Sequence, residues 1–310
     1  MSQFFIDKCK AFIDFMLSQQ QWSGLTIDNI DSWLSNFRDL PQDEQIIVYK
    51  LLTNIIYFSE NDIIDSLKIG VYNCLSYEDI LNKQINSNFS MSAHSLKNAH
   101  KTNIDNACFV PLLDSSSPHE SANNICRMLV QQNIISSQNS KFIDQVPEML
   151  KNKKIINLVI VDDCIGSGDQ LRNFWNNTKI NVDGVQMSIE ELCQKYKLKP
   201  NYLTLFGYND SIKNLQVEFP NLNIVCVRLL NNQHRVFSGT SYIWENNEEK
   251  TRAFDLLNSL AQNAGISIYG YKGLDFAFIM HKTIPDWSLP IFWEENSNWK
   301  PLLRRKNSNA

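Results

Sequence analysis

The chain has 310 residues, with 29 Lys+Arg against 33 Asp+Glu and a formal net charge of −4 at pH 7. Its composition, 43% hydrophobic and 20% charged, excludes a disordered chain, and the length suffices for one large domain or two smaller ones. The near balance of charge gives no global case for a nucleic-acid coat or a membrane-surface binder, and no apolar run reaches the roughly 18 residues of a membrane span.

The first residues mix apolar side chains with Asp7, Lys8, Lys10 and Asp14, which is no signal-peptide pattern, so a cytoplasmic protein is expected. Cys9, Cys74, Cys108, Cys126, Cys164, Cys193 and Cys226 are scattered and form no C-x-x-C pair. Neither a zinc site of common spacing nor a disulfide framework is expected from them.

Residues 1–81 read as a helical N-terminal domain. Phe4, Phe5, Cys9, Phe12, Ile13 and Met16 recur at helical spacing, a second helix runs near 27–37, and Pro41 opens a third with Asp43 and Glu44 in its first turn. Ile46, Ile47, Leu51, Ile55 and Tyr57 or Phe58 make its apolar face, and Ser59 is the N-cap of a fourth helix through Ile63 and Leu67. Residues 82–106 are polar and predict a connection.

From 107 to 290 the pattern becomes α/β. Strands are predicted at 107–113, 155–161, 202–208, 224–230 and 276–281. Helices are predicted at 120–132, from Asp169 to about 176, around 211–217, and at 248–263 with Gly265 ending it. Alternating strands and helices imply a mainly parallel sheet flanked by helices. Residues 291–310 read as a C-terminal tail, with Arg304, Arg305 and Lys306 as a solvated basic run.

The informative segment is Leu158-Val159-Ile160-Val161-Asp162-Asp163-Cys164-Ile165-Gly166-Ser167-Gly168-Asp169-Gln170. A hydrophobic strand, two acids, a small-residue turn and a helix start put carboxylates at the ligand edge of a parallel sheet. Gly166 and Gly168 expose backbone N–H groups, Ser167 adds a hydroxyl, and the helix N-terminus favours an anion. Acids beside such a cradle suit a sugar phosphate, and they also suit Mg²⁺. Competing readings are a Walker B strand, which here lacks its G-x-x-x-x-G-K-[ST] partner, and a dinucleotide loop, whose third glycine is Leu171. A partial methyltransferase loop and an ordinary strand–turn–helix junction also stay open.

The same residues resemble the ribose-phosphate loop of type I phosphoribosyltransferases. The resemblance implies that Asp162 and Asp163 meet the ribose hydroxyls and that Gly166, Ser167 and Gly168 line the 5′-phosphate pocket, flanked by Asp169 and Gln170. The family has a small residue and a Thr at those last two positions, and Asp169 brings a negative charge that opposes a phosphate. The Asp114-Ser115-Ser116-Ser117 turn would handle pyrophosphate, with Ser117 also readable as a helix N-cap.

The wider layout resembles phosphoribosyltransferase-like proteins of prokaryotic conflict systems, some encoded beside retron reverse transcriptases. Trp33 and Phe37, Phe109-Val110-Pro111-Leu112 followed by Glu120-Ser121, and a closing Thr283-Ile284-Pro285-Asp286-Trp287-Ser288-Leu289-Pro290 carry that likeness. It implies an effector or accessory protein of antiphage defence that binds phosphoribosyl pyrophosphate or a nucleotide and acts at the anomeric carbon, with Mg²⁺ as cofactor. The alternative is a non-enzymatic sensing or scaffolding module that docks on a reverse transcriptase with its nucleic acid.

Secondary candidates are few. His234 and Arg235 follow a predicted strand and are expected to contact an anion at the ligand edge. Arg228, inside that strand, needs a partner. Lys153 and Lys154 read as a solvated pair, His281 as a satisfied structural histidine, and the aromatic stretch 285–293 as packing or the wall of a base pocket.

Overall fold

A computed structural model describes residues 2–113 and 121–305. Three helices open the chain: α1 (Ser2–Ser18), α2 (Ile27–Leu34) and α3 (Gln42–Thr53). A short strand, β1 (Ile56–Phe58), and the helices α4 (Glu60–Leu75), α5 (Tyr77–Asn86) and α6 (Ala93–Asp105) follow. Then come β2 (Ala107–Pro111), α7 (Ser121–Gln131), α8 (Val146–Asn152), β3 (Asn157–Ile165), α9 (Asp169–Asn177), β4 (Lys179–Val182) and β5 (Val185–Ser188). The remainder is α10 (Ile189–Tyr196), β6 (Lys199–Tyr208), α11 (Asn209–Glu218), β7 (Asn223–Leu230), α12 (Asn247–Asn263) and β8 (Phe278–Met280). The protein is thus mixed α/β, with a parallel sheet flanked by helices. Its residues divide into two compact units, one from Ile64 to Leu229 and one made of the residues up to Ile63 together with those from Leu230 onward.

The unit from Ile64 to Leu229 holds a four-stranded sheet in the order β2-β3-β6-β7, with β3 parallel to both β2 and β6. Leu158, Val159, Ile160 and Val161 have no exposed surface, which is why the run is apolar at every position and not at alternate ones: it is covered on both faces. α7 packs on β2 and β3. Asn139, itself buried, donates to the carbonyls of Ile104 and Ala107 and so ties the approach to β2 in place. The β4–β5 hairpin turns on Asp183 (φ 53°) and Gly184 (φ 88°), the positive-φ pair of a type I′ turn, and Asn181 Oδ1 accepts the Gly184 N–H at 2.8 Å.

The other unit joins the N-terminal helices to the end of the chain. β1 lies parallel to β8, and the Ile56 N–H bonds the Ala277 carbonyl at 2.7 Å. Trp33 is fully buried, stacked on Phe292 and edge-on to Phe37, and its Nε1 donates to the Ile291 carbonyl at 2.7 Å. Trp299 Nε1 bonds the same carbonyl at 2.9 Å, and its ring meets Phe37.

Several expectations are corrected here. The expected connection over 82–106 is largely helical, since it contains the end of α5 and all of α6. α6 buries no residue fully, so it lacks the apolar stripe that marks a helix, and Ser92 starts it by accepting the Ser95 N–H. The expected tail is core as far as Leu302, because Ile291, Phe292, Trp299 and Leu302 are all buried. The third helix ends at Thr53, and Ile56, Tyr57 and Phe58 leave it to pair with β8. The strand predicted at 276–281 shrinks to β8 and belongs to that pair, not to the four-stranded sheet. On α1 the inward residues are Ile6, Cys9 and Ile13, whereas Phe4 and Phe12 are exposed.

Candidate functional site

β3 does not stop at Val161, as the hydrophobic run suggests, but continues through both acids to Ile165. Val161 is level with Leu203, Asp162 with Thr204 and Cys164 with Phe206. The acids therefore sit inside the C-terminal half of the strand, 3% and 8% exposed, and not on an open turn. Tyr202 Oη donates to Asp162 Oδ2 at 2.8 Å, and the Asp163 N–H donates to Asp162 Oδ1 at 2.9 Å. The Cys164 N–H donates to Asp163 Oδ1 at 2.7 Å.

Burial, and then the charge of neighbouring Asp163, push the Asp162 carboxyl well above the ordinary carboxylate range, and the Tyr202 hydrogen bond offsets part of this. Burial also raises Asp163, against hydrogen bonds from Ser121 and Cys164 that lower it. Both acids are thus harder to ionise than an exposed carboxyl.

After β3 the chain turns through Gly166, Ser167 and Gly168 into α9. Gly168 has φ +85°, and a Cβ there would lie 2.8 Å from Leu215 Cδ1, so the backbone favours glycine and any side chain would push Leu215 aside. Ser167 Oγ accepts the Asp169 N–H at 3.2 Å. Arg172 Nη1 lies 3.1 Å from Asp169 Oδ1 and 3.1 Å from the Ser167 carbonyl oxygen, while its Nε donates to Glu218 Oε2 at 2.7 Å. Asp169, expected to repel a phosphate, is thus paired with a cation one turn along. Gln170 is exposed on the first turn of α9.

Residues 30–305 match the family model PRTase-CE. The chain belongs to the PRTase-CE family. It is a phosphoribosyltransferase-like protein, and the match takes in residues of both compact units. No curated protein matches it.

In this PRTase-CE member the remaining expected residues are distributed as follows. Ser115 and Ser116, with Asp114 and Ser117, lie outside the described residues. His234 and Arg235 belong to the other unit, so the structure does not assemble them with the β3–α9 loop within one unit. Arg235 is bound by Asp275, an acid 1% exposed that also accepts the Phe237 N–H at 2.7 Å, and by the Gly273 carbonyl at 3.0 Å. His234 Nδ1 meets Asn231 Oδ1 at 2.8 Å, and its ring packs on Tyr242. Arg228 is exposed on β7. His281 is held by Ser23 at 3.1 Å. The 285–293 stretch is packing: Trp287 stacks on Phe278, and Ser288 Oγ donates to the Phe278 carbonyl.

The candidate site has two residues that sequence reading does not single out. Tyr202 begins an apolar run, and a phenol there demands a buried acceptor. Arg172 stands three residues after Asp169, the spacing of neighbours on a helix surface. Ser121 stands in the sequence as half of the Glu120-Ser121 pair that carries the family likeness. Among the described residues no cluster of three or more His, Cys, Asp or Glu side chains is arranged to hold a metal, and no helix is long and apolar enough to cross a membrane. With both Asp162 oxygens engaged inside the fold, Asp163 is the carboxylate that would fit a Mg²⁺ taking most of its oxygens from a ligand's phosphates.

Proposed function

We propose that this PRTase-CE protein binds a ribosyl phosphate or nucleotide at the loop between β3 and α9 and acts at the anomeric carbon, as part of antiphage defence. The observation that supports this reading best is the buried Asp162–Asp163 pair at the end of β3, beside a turn in which Gly168 takes a positive φ. A carboxylate charge in a site shielded from water attracts sugar hydroxyls and stabilises a cationic ribosyl group as its leaving group departs. Mg²⁺ would neutralise the departing pyrophosphate, held by the phosphate oxygens with Asp163 as its protein ligand.

Calorimetric titration with phosphoribosyl pyrophosphate and common nucleotides, with and without Mg²⁺, tests the reading. Binding is expected for the wild type and not for the Asp162→Asn/Asp163→Asn double variant. In cells, the same double variant is expected to lose protection against phage. Full protection by the variant would refute both catalysis and sensing.

A second reading draws on the internal hydrogen bonds of Asp162. An acid whose two oxygens both serve the fold also suits a non-enzymatic module that senses a nucleotide or scaffolds a reverse transcriptase–nucleic acid complex. Binding without product formation would favour it.

A further inference from the structure

The four-stranded sheet has two edges, and the fold treats them differently. The outer side of β2 is closed. Phe109 bridges Ser140, its carbonyl accepts the Lys141 N–H at 3.0 Å, and the Ala107 carbonyl accepts the Asn139 side-chain amide at 2.7 Å. β7 forms the opposite edge. Among the described residues no main-chain hydrogen bond joins Asn223–Leu230 to a segment outside the sheet. Alternate N–H and C=O groups of this strand therefore face outward with no main-chain partner in the chain.

β7 carries few of the devices that keep an open edge from pairing. Protected edges are short, charged, bulged or interrupted by Pro. β7 is eight residues long, Asn223-Ile224-Val225-Cys226-Val227-Arg228-Leu229-Leu230, and holds no Pro and no Lys. Its one charge, Arg228, lies near its end. The faces of the strand are already in use: a Cβ on Gly70 of α4 would meet Val227 Cγ2 at 3.0 Å, and one on Gly207 of β6 would meet Cys226 Sγ at 3.0 Å. Even so, Val225, Cys226 and Val227 are only half-buried, and Leu229 is 51% exposed. What stays open is the edge.

We infer that β7 is a homodimer interface, at which a second copy of this chain lays its own β7 antiparallel to the first and joins two four-stranded sheets into one. The occupant follows from the edge. Open ladder groups are matched in full by another extended backbone. An antiparallel pair about a two-fold axis is self-complementary, so a second copy supplies that backbone without any further specialised surface. With 223–229 overlapped, Cys226 lies on the axis and Arg228 stands opposite the partner's Ile224. No like charges are then opposed, and the uncharged centre of the strand meets itself. This inference is independent of the ribosyl reading.

Sedimentation velocity of the full chain over a micromolar dilution series, with amide hydrogen exchange read at β7, tests it. A species of twice the 35.9 kDa chain mass is expected, and exchange at 224–229 should slow as concentration rises. Leu229→Lys places a charge of the kind natural edges use for protection at an exposed position of the strand. It should weaken dimerisation at least about tenfold, because each dimer then desolvates two added charges. The thermal melt of the dilute monomer should not change, and Leu229→Met should dimerise as the wild type does.

A wild type that stays monomeric throughout the series overturns the inference. So does a dimer whose β7 exchange is independent of concentration, since its interface lies elsewhere. A folded Leu229→Lys chain that dimerises with wild-type affinity overturns it as well.

Discussion

Arg172 Nη1 lies 3.1 Å from Asp169 Oδ1 on the next turn of α9, and the same guanidinium reaches the Ser167 carbonyl and Glu218. An acid at a helix N-terminus that would oppose a phosphate is thereby neutralised, and the turn, α9 and α11 are tied together by one side chain.

Removing that side chain should loosen the turn. Arg172→Ala is expected to cost about 1 kcal/mol of stability, a modest figure because the pairs are partly exposed and screened. It should weaken phosphate-bearing ligands by more than it weakens ribose-only ones, because Asp169 is left uncompensated. Asp169→Asn should do the opposite and improve phosphate affinity severalfold. Parallel titrations with ribose and ribose 5-phosphate check both. Equal changes for the two ligands would sink the electrostatic account.

The acid pair predicts a pH dependence of stability with a definite sign. Both carboxyls are raised in the folded state. Their contribution is therefore full in acid, below the ordinary carboxylate range, and is lost as pH rises through the raised values. Asp162→Asn removes that loss. The variant should match the wild type near pH 3, below the ordinary carboxylate range, and be the more stable of the two near pH 8. Denaturant unfolding at the two pH values measures it, and a wild type that is the more stable at both would contradict the assignment.

Gly168 is held by two independent constraints, a positive φ and the proximity of Leu215. Gly168→Ala is expected to cost about 1–3 kcal/mol, the range for a residue forced into a sparsely populated backbone region. It should also abolish binding at the turn. A thermal melt unchanged from wild type would show that the turn tolerates a Cβ.

Trp33 joins the two ends of the chain through Phe292 and the Ile291 carbonyl. Trp33→Ala should cost about 3–5 kcal/mol, as large-to-small changes at sealed core positions do. Truncation after Pro290, which removes Phe292, Trp299 and Leu302, should unfold the same unit. Near-ultraviolet circular dichroism reads both, and a truncated chain with wild-type signal would show that the closing residues are dispensable.

Much of this protein is written in local pattern. The sealed run Leu158 to Val161 announces a parallel strand, because only burial on both faces favours an apolar residue at every position. Ser59 before α4 and Gly265 after α12 mark helix ends through hydrogen bonds that one segment supplies by itself: Ser59 Oγ accepts the Asp62 N–H, and Gly265 turns at φ +73°. The acids and the small-residue turn were legible for the same reason, since adjacent residues carry the whole motif.

The long-range partners were not legible. Nothing near Asp162 names Tyr202 forty residues on, nothing near Trp33 names Ile291, and Arg235 gives no sign that it will close on Asp275. Such pairings follow from strand register and core packing, which depend on the whole chain folding at once, whereas periodicity, caps and turns depend on residues a few places apart. Composition and local spacing alone sufficed for the α/β class and the acid-bearing loop. What holds the two buried carboxyls, what neutralises Asp169 and where the ends of the chain meet were settled by burial, which removes water and obliges each polar group to find its partner inside the fold.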